Sequence, residues 1–445
     1  MEKSIRTSRC LAASILIGAA ILTGACSQGA GDNLPANVDA ASPLANDPKL
    51  IARGEYLAKA GDCAACHDAA DHTPLGGGLA INSPFGPIYA SNITPDSTYG
   101  IGRYTLREFS QAIRFGRRRD GKRLYPAMPY PSLANVSDAD VVALYAYLMH
   151  GVKPAAKRPP VTELPFPFNQ RWGLLFWSFA FANRDQYVPD PKQSAQWNRG
   201  AYLVQGFGHC GACHTPRGPA YNELGYSEAS PWFLTGAVND HWSAPNLTGD
   251  PASGLGRWSA EDIARFLRTG HGAGAMAFGA MAPVIEESTQ HLSAPDLEAI
   301  AAYLKSLPAK MAYGSFDNDQ HAKVQTIRSL GTGEVERHGA GVYLSFCARC
   351  HEADGRGQPG KVAALAGSPL VMAEDATSTL RIVIEGSKSP ATEGGPAPQE
   401  MPGFHDQLTS LQIAEVVSFI RNAWGNHAAP ISEREVKTLR AAIHH

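Results

Sequence analysis

No phosphate-cradling glycine loop, no dinucleotide fingerprint and no nucleophile–base set occurs in the 445 residues, so the sequence shows no substrate-transforming site of its own. Charge is scarce: 18% of residues are Asp, Glu, Lys or Arg, below the usual figure of about 25%. The 39 basic and 41 acidic residues leave a formal net charge of −2, which gives no electrostatic footprint for nucleic acid. Beyond the N-terminus no run approaches the roughly 18 apolar residues that span a bilayer. With 44 glycines and 32 prolines, the chain is too poor in both for a disordered low-complexity protein. That content suits loop-rich domains built around something other than a protein-only core. At about 100–200 residues per domain, the length suggests two to four domains.

The first 26 residues read as an export signal. Lys3, Arg6 and Arg9 form a positive start, and Leu11 to Leu22 is an uncharged apolar run too short for a spanning helix. Gly24 and Ala25 then precede Cys26. Leu22-Thr23-Gly24-Ala25-Cys26 resembles a lipoprotein cleavage box with one residue too many before the cysteine. Two readings stay open: Cys26 becomes a lipid-bearing first residue, or cleavage falls a few residues later. Either way the mature protein is exported.

Eight cysteines are present, and Cys10 and Cys26 belong to the leader. The other six form three C-x-x-C-H patterns: Cys63, Cys66 and His67; Cys210, Cys213 and His214; Cys347, Cys350 and His351. This is the c-type haem attachment motif. Each thiol adds to one haem vinyl group, and the histidine ligates the iron. Chance would give on the order of 0.005 such matches in this composition. Zinc wants four ligands from separated pairs. Disulfides are open to an exported chain but do not explain the histidine that follows each pair. The reading is three covalently bound haems c.

A repeat surrounds the motifs. Arg53-Gly54-Glu55-Tyr56-Leu57 and Arg199-Gly200-Ala201-Tyr202-Leu203 precede the first two, with a looser Gly341-Val342-Tyr343-Leu344 before the third. The closer tyrosine there implies a differently arranged first helix. Each unit also ends in an amphipathic helix opened by Ser137, Ser293 or Thr409. Asp140, Asp296 or Gln412 three residues on is expected to complete a capping box. The expectation is an all-α chain of three tandem mono-haem domains at 46–155, 193–309 and 331–428. A signal at 1–26 and a tether at 27–45 come first. A Pro- and aromatic-rich linker at 156–192 and a polar one at 310–330 separate the domains, and a polar tail fills 429–445.

A methionine thioether opposite the histidine is the usual sixth ligand of an electron-transfer haem c. Met128, Met281 and Met401 stand in loops before the three terminal helices. Met276 is a rival to Met281, while Met149 and Met372 read as core fillers. His72, His209, His271 and His405 are alternative ligands. The basic run Arg114, Arg117, Arg118, Arg119, Lys122 and Arg123 reads as a solvated loop, or as a partner for propionates or an acidic protein. The apolar run from Trp172 to Phe181 is expected to pack between the first two domains. A partner subunit, a quinone or the bilayer surface is its other candidate neighbour.

Several segments together resemble the triheme cytochrome c subunits of bacterial membrane-bound dehydrogenases acting on alcohols, sugars, sugar acids or aldehydes. They are residues 53–67, Tyr89-Ala90-Ser91-Asn92-Ile93-Thr94-Pro95-Asp96, Leu124 to Pro131, Pro167 to Trp172, Ser288 to Leu292, and Met401-Pro402-Gly403-Phe404. The resemblance implies Met128, Met281 and Met401 as axial ligands. It implies a large flavin, quinoprotein or molybdenum catalytic subunit as partner, and ubiquinone or a terminal oxidase as acceptor. It further implies the periplasmic side of the inner membrane, with membrane surface contact. The chain would then be an electron-transfer subunit and no enzyme on its own. One rival is a free-standing carrier between respiratory complexes. The other is a haem enzyme that has lost one Met ligand.

Overall fold

The structure is a computed structural model that describes residues 34–443 apart from 36–37, 319 and 333–337. The leader, Cys10, Cys26 and the first part of the expected tether lie outside the described residues. Helices carry the fold. Strands are confined, among the described residues, to five two-stranded antiparallel pairs, so the chain is mostly rather than wholly α.

The elements used below are α1 (Pro48–Ala60), α2 (Leu106–Phe115), α3 (Asp138–Ala146), α4 (Gly173–Phe181), α5 (Ala195–Gln205), α6 (Ala260–Thr269), α7 (Ala294–Ser306), α8 (Thr377–Glu385), α9 (Ser410–Ile420) and α10 (Glu433–Ile443). Their starts follow from local chemistry. Thr105, Ser259 and Thr409 make complete capping boxes with Glu108, Asp262 and Gln412. Glycines Gly116 and Gly270 close α2 and α6 in the left-handed region, at φ 60° and 75°, where a Cβ would be strained.

The first and last helices of each unit cross on a glycine. A Cβ on Gly54 would lie 2.0 Å from Ala143 O, one on Gly200 1.9 Å from Ala299 O, and one on Gly339 2.1 Å from Glu415 O. Backbones meet there with no room for a side chain. The third crossing glycine is therefore Gly339, not Gly341 of the looser sequence match. Its first helix is a short piece, Ala340–Val342, running into a π turn at Tyr343–Cys347.

Asp140 and Asp296 do not complete capping boxes. Ser137 and Ser293 cap their helices, but the two carboxylates turn outward to guanidinium groups. Asp140 takes Arg53 Nε at 2.7 Å, and Asp296 takes Arg199 Nε and Nη2, both at 2.8 Å. A bond to the guanidinium cation, in which donor and acceptor are both charged, outweighs one from the uncharged cap amide.

Packing divides the chain differently from the linker pattern. One continuous apolar core runs through the first two units, joining Leu57, Val141, Leu144, Leu203, Phe207, Leu297 and Tyr303. A second core serves the third, around Tyr343, Ile384, Ile413, Val417 and Trp424. Each fully buried aliphatic or aromatic side chain contributes about 1.5–3 kcal/mol. The second and third units meet through Ser243 and Ser378, both buried. Ser243 N donates to Ser378 Oγ at 2.8 Å, and Ser378 N donates back to Ser243 Oγ at 3.0 Å. Beside them Arg381 lies 4.4 Å over the Trp242 ring.

Three segments expected as tether, linker and tail belong to these cores. Leu34, Val38 and Ala45 are buried in the first. Within the 310–330 segment, a helix from Gln320 to Thr332 places Leu330 in the second. Along the supposed tail, α10 buries Val436 and Leu439 in that same core. Single apolar residues at helical spacing were hidden in polar surroundings.

Candidate haem-attachment sites

Each motif occupies one helical turn. Cys63–His67 is helical throughout, while Gly211–His214 and Ala348–His351 are entered from Cys210 and Cys347, both in right-handed backbone. Residues three and four apart share a helix face, so each turn sets two thiols beside one imidazole. All six cysteines are free of disulfides. No cluster of three or more His, Cys, Asp or Glu side chains suited to a metal ion occurs among the described residues.

The three histidines share one further feature. His67 Nδ1 lies 2.7 Å from Ser91 O, His214 Nδ1 2.7 Å from Pro245 O, and His351 Nδ1 3.0 Å from Ala363 O. A backbone carbonyl can only accept, so each Nδ1 carries the proton and Nε2 keeps its lone pair. Burial lowers the pKa of all three rings, against the opposing carbonyl bonds. A neutral imidazole with Nε2 open and its tautomer fixed by an outer carbonyl is the form a metal takes.

The loops bearing those carbonyls are pinned by asparagines that sequence reasoning did not single out. Asn92 Nδ2 donates to Ala155 O at 2.8 Å, and its Oδ1 accepts from Thr94 N at 2.9 Å. Asn246 repeats this with Lys310 O at 2.8 Å and Thr248 N at 2.7 Å. In the third unit Asn426 reaches Leu365 O at 3.0 Å and takes Gly367 N at 2.7 Å. A signal existed: Asn92-Ile93-Thr94-Pro95-Asp96 and Asn246-Leu247-Thr248-Gly249-Asp250 are one repeat. Asn426 comes from a distant segment and left no such trace.

Burial pushes the thiols of Cys63, Cys210 and Cys347 up to about 12, and that of Cys66 to about 11. Burial in apolar surroundings, which disfavours the thiolate, is the cause in each case. Two carboxylates stand close by. Asp62, with Oδ1 buried and unpartnered, is pushed up to about 7 by burial and then by the charge of Glu287. Glu223 is also pushed up to about 7 by burial, against the pull of Arg217 3.7 Å away. Asp62 acts electrostatically on Cys63, Cys66 and Cys213 alike, and His209 Nε2 lies 3.3 Å from Gly61 O. The first two motifs are therefore neighbours.

Met128 and Cys63 pack against the first core, and Met401 and Cys347 against the second. Met281 is half-buried at the start of a short helix, Met281–Glu287. Met128 and Met281 each follow an equivalent bridge, Arg123 to Arg117 in one unit and Met276 to His271 in the other. Met401 instead lies in a strand opposite Ser387. Met276 is buried within its hairpin, and Met149 and Met372 are buried core residues. His72 and His405 are exposed. Buried His271 bonds Thr269 O through Nδ1 at 2.8 Å. Arg114 leaves the basic run: it is buried and bonds Val136 O and Asp138.

The family model described as cytochrome c matches residues 51–151, 198–308 and 337–424. The cytochrome c subunit of a quinone-type alcohol dehydrogenase from Gluconacetobacter polyoxogenes is 45% identical over 399 residues, 88% of this chain and 85% of its own. The cytochrome c subunit of gluconate 2-dehydrogenase from Pantoea cypripedii is 45% identical over 407 residues, 90% of this chain and 91% of its own. The cytochrome subunit of fructose dehydrogenase from Gluconobacter japonicus is 40% identical over 432 residues, 93% and 87% of the two chains.

Proposed function

This chain belongs to the cytochrome c family, and from that premise we propose that it is the electron-transfer subunit of a dehydrogenase complex, taking electrons from a separate catalytic subunit and delivering them to ubiquinone or a terminal oxidase. The observation that carries the reading is threefold: a two-thiol helical turn beside a neutral histidine whose Nδ1 is held by a carbonyl. Three haems c are covalently bound, and haem supplies a one-electron iron couple. Cys63 and Cys66, Cys210 and Cys213, and Cys347 and Cys350 are the attachment residues. His67, His214 and His351 would each ligate an iron, and Met128, Met281 and Met401 would supply the second protein ligand. The second domain touches both others. Alcohols, sugars, sugar acids or aldehydes are the substrates of the partner, and the complex faces the periplasm.

The experiment is mild-detergent purification of the native protein from membranes. Copurification of a large subunit with a flavin, pyrroloquinoline quinone or molybdenum cofactor supports the reading. A triheme protein released alone, intact and low-spin, replaces it with a free-standing carrier. A high-spin fraction in the native protein instead favours a haem with an open coordination site.

A further inference from the structure

The segment between the first two haem domains is exposed where it was expected to be buried. Phe166 is 78% exposed, Trp172 68%, Phe176 65% and Phe179 77%, with Phe168, Leu175 and Phe181 also exposed. The helix α4 is held in place from its inner side only. Ser178 Oγ lies 3.0 Å from Tyr130 Oη, and Trp177 Nε1 donates to Ala220 O at 2.8 Å. Ser178, which is buried, and the Trp177 indole N–H are the polar side-chain groups of α4, and both are taken up by these inward bonds. The outer face of the helix itself therefore offers hydrocarbon and aromatic surface, while the preceding loop adds the Trp172 indole N–H and the exposed amides of Asn169 and Gln170.

Protein interfaces carry about one hydrogen bond per 100–200 Å², and the outer face of α4 has none to contribute, whereas an interfacial Trp such as Trp172 places its N–H at the headgroup level. Its rim is cationic. Arg184 lies 5.3 Å over Phe179, and Arg171 donates to Arg123 O at 2.7 Å. That bond ties the patch to the hairpin of exposed Arg117, Arg118, Arg119 and Lys122, where Asp120 is the one acid. An apolar helix face with aromatics outward and arginines around it matches the boundary of an anionic bilayer. No helix among the described residues is long and apolar enough to cross a membrane.

We propose that α4 and the preceding Phe166–Trp172 loop form an interfacial membrane contact, inserting Phe166, Trp172, Phe176 and Phe179 among the acyl chains of an anionic leaflet while the Arg117–Arg123 hairpin sits at the headgroups. The contact is independent of the electron-transfer reading, because haem content and potentials are measured separately.

The test is vesicle flotation of the full haem-loaded chain carrying Cys26→Ser, so that no lipid on that residue contributes. Vesicles of phosphatidylcholine plus phosphatidylglycerol are compared with phosphatidylcholine alone. The parent is expected to float with the anionic vesicles, more weakly with the neutral ones, and less in high salt. Trp172→Ser/Phe176→Ser/Phe179→Ser is expected to lose on the order of a hundredfold in vesicle affinity with its absorption spectrum unchanged. The single Phe176→Ser, at an exposed site, gives a partial loss and guards against misfolding of the triple variant. Equal flotation of parent and variants overturns the proposal. So does a triple variant that still floats but no longer copurifies with a dehydrogenase subunit, because the face then belongs to that protein.

Discussion

The hydroxyl of Tyr56 donates to Oδ2 of Asp296 across the boundary between the first two domains, at 2.5 Å. The same bond runs the other way, from Tyr202 to Asp140 Oδ2 at 2.6 Å. The tyrosine hydroxyls also accept from Ser293 N and Ser137 N, each at 3.2 Å. The two repeats thus cross-brace each other with equivalent residues, each aspartate already held by its own domain's arginine. In the third domain Tyr343 instead bonds Glu352 O within its own unit.

This cross-brace has an acid limit. Although burial alone would raise the Asp296 pKa, the bonds from Arg199 and Tyr56 hold it below the ordinary aspartate value of 3.8. A depressed folded pKa means the stabilisation is present above that value and is lost as pH falls through the folded pKa. Asp296→Asn is expected to lower stability at neutral pH by about 1–3 kcal/mol and to flatten the acid side of the pH–stability curve. Denaturant titration of the haem-loaded protein at a series of pH values checks this, and an unchanged acid limb would count against it.

The helix crossings predict a sharp contrast among glycines. Gly54→Ala and Gly200→Ala force a Cβ into Ala143 O and Ala299 O and are expected to cost more than about 3 kcal/mol. Gly173→Ala, with nothing within 4 Å of its Cβ, should be close to neutral. Yields of haem-loaded protein and thermal unfolding distinguish the two sets.

Asn92 and Asn246 act through the carbonyls beside them, as positioning residues. Asn92→Leu frees the loop carrying Ser91 O and weakens its bond to His67 Nδ1. A less electron-rich imidazole favours ferrous iron, so the potential of the first haem should rise. Loss of about 1 kcal/mol corresponds to roughly 40 mV for one electron. Redox titration should show one of three waves shifted, and Asn246→Leu should shift another. Two variants that move the same wave, or none, would sink the assignment.

Substituting the three proposed methionine ligands one at a time tests the ligand set. Met128→Leu, Met281→Leu and Met401→Leu should each turn about one third of the haem high-spin and lower one potential. Met276→Leu, at a buried hairpin position, should leave the spectrum low-spin. A high-spin Met276 variant would reverse the choice in the second domain.

Much of the site was legible because its chemistry is local. A C-x-x-C-H run fits in one helical turn, and Ser or Thr caps announce the terminal helices within three residues. The aspartates at those caps were misread because their partners, Arg53 and Arg199, come from 87 and 97 residues away. The exposed face of α4 was likewise illegible, since an apolar run looks the same whether a domain covers it or not.

The three C-x-x-C-H motifs, the proposed attachment residues within them and the repeat were legible in the sequence itself, because covalent attachment depends on spacing along the chain. Tertiary structure alone decided which carbonyl orients each histidine, at separations of 24, 31 and 12 residues. It also decided that two domains share one core while the third keeps its own, and that Val436 and Leu439 fold back into that third core. The physical reason is that burial and hydrogen-bond partners belong to surfaces, and a surface acquires its neighbour only when distant segments meet.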